Sequence, residues 1–370
     1  MSLDSVAGGG TVERVFQLHT SMCSMEGVSS RVLSMHVGEP VLNESDDVLL
    51  LPCWSKRWYF PATRLLTMFR MVRWADVIHV MNHWTILNAV ICKMARLTDT
   101  PYVICPAGAL PLFGRSQGLK LWYNCLVGHS LVKNSDAAVV IAEDEIATLN
   151  QYGVMTEHIQ HIPNGVRADD FSCVDEQLFR KFVGIGNVDY LLFVGRLNEI
   201  KGPDILLDAF IALSSTFPEL HLVFAGPDGG MLRGLKDRAA KAALGERVHF
   251  PGYVRGELKS SAYHGSSLLV VPSRQEAMSI VALEGAICAR PVVLTDCCGF
   301  DLLAEAGAAR LTAANSHTMS QIISELMLDL TLRDEMGAKG RQLAISFYTW
   351  DIAARRYLTL FRNCLRENVL

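Results

Sequence analysis

Two glutamates, Glu276 and Glu284, are the first candidates for chemistry in this sequence. The apolar run at residues 268–271 just before them has the composition of a buried parallel strand. Apolar residues then recur at helical spacing over residues 278–287, and a second apolar run begins at residue 291, which predicts a strand–helix–strand crossover. Because ligands of open α/β sheets bind at the carboxyl ends of the strands, we expect both carboxylates to flank one ligand. Most helical glutamates are simply solvated, so the pair alone is a weak signal.

A pair of cations follows another apolar run, at residues 190–194. Gly195 permits a tight exit from the strand, and Arg196 and Lys201 precede a helix that Pro203 is suited to start. A helix N-terminus also favours anions, so this loop can neutralise the charge on a leaving diphosphate. Two surface cations in a loop are the ordinary alternative, and the residues by themselves favour it.

Three glycines at residues 8–10 precede the first helical pattern of the chain, for which Thr11 is a candidate N-cap. The backbone amides of Gly9 and Gly10 can approach a phosphate closely, because glycine has no side chain. A flexible turn is the alternative, and the glycines alone favour it.

A basic and aromatic stretch extends over residues 54–73. It contains five cations and no acidic residue, and its cations alternate with tryptophan, tyrosine, phenylalanine and leucine. One interpretation is an amphipathic helix on an anionic membrane surface. The other is a crossover helix whose arginines extend along apolar surface to reach water, and the sequence does not favour either. The cations are Lys56, Arg57, Arg64, Arg70 and Arg73.

Composition restricts the class of protein. The chain has 370 residues, of which 50% are hydrophobic and 19% charged, which indicates a globular chain of about two domains. A net charge of −4 argues against a general nucleic-acid binder. The 10 cysteines show no CxxC spacing and no metal-ligand cluster, so they predict buried thiols in a reducing compartment. We find neither a signal peptide nor a membrane-length apolar run, and we expect a cytoplasmic protein.

Short strands and helices alternate in two blocks, which predicts two doubly wound α/β domains at residues 1–166 and 167–349. A final helix is expected at residues 350–370. Such a domain should begin with a strand before its glycine loop, but residues 1–9 contain no apolar run of strand length, so this first strand is expected to be missing. The predicted strands are residues 31–36, 48–51, 77–80, 102–105, 137–141, 158–162, 190–194, 222–225, 248–250, 268–271 and 291–295. The predicted helices of the first block are residues 61–72, 84–96, 119–133 and 144–152.

The sequence EAMSIVALEGAICARPVV, which contains Glu276, Glu284 and Pro291, resembles the glutamate-x7-glutamate motif of family-4 retaining glycosyltransferases. The stretch from Gly195 to Lys201 and its following glycine resembles the GR-x4-KG signature of that family, and IPNGV at residues 162–166 resembles the end of its first domain. The resemblance implies the GT-B fold, in which two Rossmann-like domains face a cleft and the C-terminal helix packs back on the first domain. It also implies a UDP- or GDP-linked sugar as donor substrate, with no metal and no other cofactor.

The resemblance also implies roles for individual residues of the second domain. Arg196 and Lys201 would bind the donor diphosphate, Glu276 the hydroxyls of the transferred sugar, and Glu284 the ribose hydroxyls. A carboxylate that accepts from two vicinal hydroxyls is a sound chemical match. Further donor-binding positions implied by the resemblance are Gly9, Gly10, Gly195, Ser279, Ile280 and Val281.

The acceptor side is implied to lie in the first domain, where Asn82, His83 and Gly108 follow predicted strands. Many family members have histidine or arginine where this chain has Ala107, and histidine where it has Met81, so two polar contacts of the family are missing. His83 and Asn82 can compensate, although a lone histidine at a strand end is more often structural.

These features together predict a retaining, metal-independent glycosyltransferase. Its acceptor would be a cell-surface glycan or glycolipid, as in polysaccharide or lipopolysaccharide synthesis, and it would be cytoplasmic, with a peripheral contact to the inner face of the membrane. The alternative from another class is a non-catalytic subunit that binds sugar nucleotides in a glycan-synthesis complex.

Overall fold

The computed structural model describes residues 9–38, 40, 42–55, 60–62, 65–111 and 117–367. The chain divides into two compact units. The first unit contains Met1–Asn164 and Trp350–Leu370, and the second unit contains Gly165–Thr349. The division falls two residues before the predicted domain boundary, and the last helix groups with the first unit.

The described strands of the first unit form two sheets. One has the order β1-β2-β3, with β1 and β2 parallel and β3 antiparallel, and the other is β4-β5-β6-β7 and wholly parallel. The strands are β1 (Val32–His36), β2 (Val48–Ser55), β3 (Phe60–Pro61), β4 (Ile78–Met81), β5 (Tyr102–Cys105), β6 (Ala137–Val140) and β7 (Ile159–His161). All six predicted strands are confirmed, and β3 is an addition that the sequence pattern did not indicate.

Helices α1 (Gly9–Cys23), α2 (Leu65–Trp74), α3 (Ile86–Leu97), α4 (Gln117–Tyr123), α5 (His129–Lys133) and α6 (Glu145–Gln151) connect these strands. Three predictions were wrong in detail. The helix predicted at residues 61–72 is α2, which begins at Leu65, and Pro61 belongs to β3. Helix α1 begins at Gly9, so Thr11 lies inside the helix and does not cap it. The single helix predicted at residues 119–133 is interrupted by a π-helical turn, Asn124–Gly128, between α4 and α5.

The second unit has one six-stranded parallel sheet in the order β10-β9-β8-β11-β12-β13, which is the doubly wound arrangement. Its strands are β8 (Tyr190–Val194), β9 (His221–Ala225), β10 (Val248–Gly252), β11 (Leu268–Val271), β12 (Val292–Thr295) and β13 (Ala309–Thr312). The five predicted strands are confirmed, and β13 was missed. Its helices are α7 (Glu176–Val183), α8 (Pro203–Leu213), α9 (Leu232–Lys241), α10 (Glu257–His264), α11 (Ile280–Ile287), α12 (Asp301–Glu305), α13 (Ser316–Leu328) and α14 (Leu330–Phe347).

Helix α15 (Trp350–Glu367) packs on α1 within the first unit. The fully buried Arg14 of α1 donates to the Tyr357 hydroxyl over 2.7 Å and to the Ile162 carbonyl over 3.0 Å, and it also donates to Asn164. None of the described helices is long and apolar enough to cross a membrane.

A cavity of about 660 Å³ lies in the first unit and is lined by residues of both sheets, including Leu33 of β1 and His79 of β4. Within the described part of the chain, β1 pairs only with β2, and β4 only with β5. Helices α1 and α15 also line the cavity, through Val15 and Phe361. The expectation of a missing first strand concerns residues that lie mostly outside the described ones, and it stays a prediction. The cavity is bordered by the two strands with which such a strand would pair.

Candidate functional site

The strand order of the second unit reverses between β8 and β11, which are parallel neighbours at its centre. Ligands of doubly wound folds bind outside the carboxyl ends of the strands at such a position. Two loops lie there: residues 195–202 after β8, and residues 272–279 after β11. These are the loops in which the sequence placed Arg196, Lys201 and Glu276.

Lys201 and Glu276 meet in this site. The Lys201 ammonium lies 2.9 Å from Glu276 Oε1, and the Glu276 side chain is only 9% exposed. The hydroxyl of Ser273 donates to the same oxygen, and the backbone N–H of Glu276 donates to the Cys297 carbonyl over 2.8 Å. The structure therefore brings together two of the three residues proposed to carry the chemistry, as an ion pair.

Arg196, the third of these residues, lies half-buried in the same loop as Lys201. Asn198 shapes this loop, because its backbone N–H donates to the Arg196 carbonyl over 2.9 Å while its side-chain oxygen accepts from the Lys201 N–H over 3.0 Å. Gly195 begins the loop at a φ of 153°. Sequence reasoning missed Asn198, whose only signal was its position inside the GR-x4-KG pattern.

The two loops are fastened to each other by Arg274. Its backbone N–H donates to the Ile200 carbonyl over 2.7 Å, and its guanidinium bonds both Asp204 carboxylate oxygens, over 2.9 and 2.6 Å. Burial raises the pKa of Asp204, but the hydrogen bond and the charge of Arg274 lower it by more than burial raises it. The pKa of Asp204 is therefore below its usual value. This bidentate pair holds the start of α8, and with it Lys201, beside the end of β11.

Two glycines let the backbones approach in this region. Gly202 has a φ of +64°, and a Cβ there would lie 2.1 Å from the Pro272 carbonyl oxygen. Gly299 has a φ of +60°, and a Cβ there would lie 1.9 Å from the Ala277 oxygen. Any side chain at either position would push apart the backbones that hold Lys201 and Glu276 in place.

Glu284 lies on α11 and is only 5% exposed. Its Oε1 is 2.6 Å from the Lys259 ammonium, and its Oε2 accepts from the Tyr263 hydroxyl over 2.6 Å. Burial, and after it the Glu284 carboxylate, raise the pKa of Tyr263 well above its ordinary value, so the hydroxyl remains a donor. Neither Lys259 nor Tyr263 was predicted, and only their spacing of four residues along one helix gave a signal.

Helix α11 begins at the predicted donor-binding positions. Ser279 is its N-cap, and the Ser279 hydroxyl accepts from the Ala282 N–H over 3.3 Å. Ile280 and Val281 form the first turn and are half-buried. Since the first N–H groups of a helix have no partner within the helix, this turn is suited to an anion.

The residues predicted for the acceptor side lie in the first unit. Asn82 has a φ of 65°, and its side-chain oxygen accepts from the His83 N–H over 2.6 Å. The His83 ring is 1% exposed, its Nε2 is 2.9 Å from Asn124 Oδ1, and burial lowers its pKa to about 4. A neutral, enclosed imidazole favours the structural interpretation of His83.

Gly108 is held by a carboxylate that the sequence did not single out. Its N–H donates to Glu145 Oε2 over 2.6 Å, and Glu145 Oε1 accepts from the Ile141 N–H over 3.0 Å. Glu145 thus joins the loops that follow β5 and β6. Gly9 and Gly10, the glycines of the first unit predicted to contact the donor, form the first turn of α1.

Comparison with known proteins connects this geometry to a family. The chain matches the model of the glycosyl transferase 4-like domain over residues 10–165, and that of glycosyl transferases group 1 over residues 175–343. The two matches meet near the division between the two units. A D-inositol 3-phosphate glycosyltransferase of Acidothermus cellulolyticus is 28% identical over 253 residues, covering 63% of this chain and 56% of that protein. The matched region thus spans little more than half the length of this curated relative.

Solved structures of the same fold cover almost the whole chain. Sucrose-phosphate synthase from Thermosynechococcus elongatus aligns with a TM-score of 0.78 at 18% identity, covering 99% of this chain and 96% of that one. Anabaena HepE, solved in complex with UDP and glucose, aligns with a TM-score of 0.77 at 16% identity, covering 97% of each chain. The fold is therefore GT-B, that of a large class of glycosyltransferases. Within that class, the chain belongs to the family-4 glycosyltransferases.

Proposed function

We propose that this protein transfers a sugar from a UDP- or GDP-linked donor to a glycan or glycolipid acceptor, with retention of the anomeric configuration. One observation carries the proposal: the Lys201–Glu276 pair lies at the central strand ends of a doubly wound sheet, with Glu284 on the helix that follows. Cations for a diphosphate and carboxylates for hydroxyls are the groups that a nucleotide sugar requires.

The ribose, the diphosphate and the sugar of the donor each have a matching group in the second unit. Glu284 accepts from the ribose hydroxyls, and the N-terminal turn of α11 at Ser279 receives the diphosphate together with Arg196 and Lys201. Because Lys201 neutralises Glu276 in this structure, the diphosphate competes for the ammonium as it arrives. The Glu276 carboxylate then accepts hydrogen bonds from hydroxyls of the transferred sugar.

The proposed chemistry depends on charge stabilisation by Arg196 and Lys201. The bond between the anomeric carbon and the leaving phosphate breaks while the acceptor oxygen attacks from the same face, and the phosphate takes the acceptor proton. Negative charge grows on the diphosphate as the bond breaks, and the two cations meet that charge. The family resemblance predicts that they do this without a metal.

The first unit presents an apolar and basic surface that suits a lipid-linked acceptor. On α2, Leu65 is 63% exposed and Leu66 58% exposed, and Arg70 and Arg73 lie on the same helix. Exposed leucines beside arginines favour the membrane interpretation of this stretch over the interpretation in which the arginines merely extend along a buried helix. We therefore include a contact with an anionic membrane surface in the proposal.

Incubation of the purified protein with labelled UDP- and GDP-sugars tests the function. A transferase releases free sugar slowly from its true donor, because water occasionally replaces the acceptor. Glu276→Gln should abolish this release, whereas Glu335→Gln, at an exposed position of α14, should not affect it. The opposite result is a protein that binds a donor without releasing free sugar, and that also fails to transfer sugar when an acceptor extract is added. That result would favour the non-catalytic sugar-nucleotide-binding subunit.

A further inference from the structure

Helix α10 holds both oxygens of the Glu284 carboxylate. Lys259 and Tyr263 lie four residues apart and therefore on one face of α10, and each contacts a different oxygen at 2.6 Å. Phe171 supports both groups: its ring centroid is 5.6 Å from that of Tyr263, and the Lys259 ammonium lies 5.6 Å from it. The carboxylate thus has a defined orientation before any ligand binds.

This arrangement leaves acceptor capacity for two more hydrogen bonds. An ionised carboxylate has about four lone-pair sites, and α10 uses one on each oxygen. One site on each oxygen remains, which matches two vicinal hydroxyls. The ammonium also offsets the cost of keeping a carboxylate in a site where Glu284 is 5% exposed.

We propose that Lys259 is a positioning residue for the donor: it holds the Glu284 carboxylate so that its two remaining acceptor sites receive both ribose hydroxyls. Tyr263 is the second anchor of the same carboxylate. The inference rests on the proposed function, because it requires a nucleotide at Glu284. Lys259 itself needs no contact with the nucleotide.

The test compares Lys259→Met with Lys259→Arg, using calorimetric titration with UDP, GDP and their 2′,3′-dideoxy analogues. Lys259→Met removes the ammonium and keeps an aliphatic side chain. We expect it to weaken binding of the ribonucleotide roughly 10- to 100-fold, the effect of a lost charged hydrogen bond, and Lys259→Arg to recover most of that loss. Lys259→Met and wild type should bind the dideoxy nucleotide equally, because this nucleotide has no ribose hydroxyls to donate hydrogen bonds to Glu284.

Three further measurements complete the experiment. Lys241→Met removes an exposed cation at the end of α9 and should match wild type with every nucleotide. In the sugar-release assay, Lys259→Met should raise the donor KM and leave kcat nearly unchanged. Tyr263→Phe, which removes only a hydroxyl, should show a smaller loss with the same dependence on ribose hydroxyls, and it serves if Lys259→Met unfolds.

Equal losses for the ribonucleotide and its dideoxy analogue would overturn the inference, since they would show a general structural effect. Unchanged ribonucleotide binding by Lys259→Met would overturn it as well. Wild-type protein that binds neither UDP nor GDP would refute the proposed function, and the inference would fall with it. Failure of the inference alone leaves nucleotide binding by the wild type intact, so the two failures can be told apart.

Discussion

The ion pair between Lys201 and Glu276 joins two side chains that the proposed reaction uses separately. At 2.9 Å and largely shielded from water, the pair keeps each charge neutralised while no donor is bound. A diphosphate carries more negative charge than one carboxylate, so it can draw the ammonium away. In the absence of donor, the Lys201 ammonium therefore already lies beside the place where negative charge is proposed to develop.

Lys201→Ala is expected to lower turnover more than donor affinity. The charge on the leaving diphosphate is larger in the transition state than in the bound donor, so the loss falls mainly on kcat, by about 10²- to 10³-fold. Steady-state measurement of kcat and donor KM in the sugar-release assay checks this. Lys181→Ala, at an exposed position of α7, is the control.

A rise in donor KM with unchanged kcat would contradict the role of Lys201 in the transition state. Addition of EDTA gives a second check on the same chemistry, because the proposal requires no metal. Activity that EDTA abolishes and magnesium restores would show that the metal-free mechanism is wrong.

At the scale of single residues, the sequence indicated the groups proposed to touch substrate but not the groups that hold them. Glu276 and Lys201 belong to patterns with fixed spacing, which is why they could be found. Lys259 is 25 positions from Glu284 in the chain and meets it only in the folded second unit, where its side chain on α10 reaches the carboxylate on α11. Such partners depend on tertiary contacts, for which one sequence carries no local signal.

Among the elements, buried parallel strands were the easiest to predict, because continuous apolar runs bounded by turns have few other interpretations. The interruption between α4 and α5 was not predictable in this way. The π-helical turn inserts a residue into a pattern that still reads as one helix, and it places Asn124 between His83 and Tyr152, at 2.9 and 2.6 Å. The turn is thus associated with the hydrogen bonds of Asn124, which the spacing of apolar residues does not reveal.

Helix α2 supports a prediction about membrane binding. Leu65→Glu combined with Leu66→Glu should reduce sedimentation with phosphatidylglycerol vesicles several-fold, because the change removes two exposed apolar side chains and adds negative charge near the surface. Binding should also weaken as salt rises. Neutral phosphatidylcholine vesicles should bind less of the wild-type protein.

Leu328→Glu combined with Leu330→Glu is the matched control for this experiment, because these two leucines of the second unit are similarly exposed. Equal loss in both variants, or wild-type binding that does not depend on lipid charge, would contradict a specific contact through α2. In that case the arginines of α2 would belong to an ordinary crossover helix.

On the scale of the whole molecule, strand–helix alternation predicts two α/β domains that divide after residue 166. The arrangement of the strands within the first unit was less accessible. Its described strands form two sheets rather than one, and the antiparallel strand β3 includes Pro61, at which a helix was predicted to begin. Pairing between strands distant in sequence depends on the whole fold, which local patterns do not encode.

The cavity between the two sheets of the first unit leads to a prediction about stability. It is lined by β1 and β4, and each of these parallel strands has one described strand neighbour. A strand directly before α1 that pairs with β1 makes the right-handed crossover that such connections adopt. Ser2→Val, Asp4→Val and Ser5→Val together turn residues 2–6 into an apolar segment of five residues, the length of β1.

We expect this triple variant to unfold at a higher temperature than wild type. Burying an apolar side chain of this size contributes about 1.5–3 kcal/mol, and each strand hydrogen bond about 1 kcal/mol, against the cost of ordering the segment. A net gain of 1 kcal/mol raises Tm by about 2–4 °C for a unit of this size, so calorimetry should detect it.

The control carries Asp4→Pro in place of Asp4→Val, because proline removes a ladder hydrogen bond from a central strand, and its Tm should stay near that of wild type. If both variants gain equally, the added hydrophobicity and not strand pairing explains the effect. If neither gains, the cavity does not accept a strand from this segment.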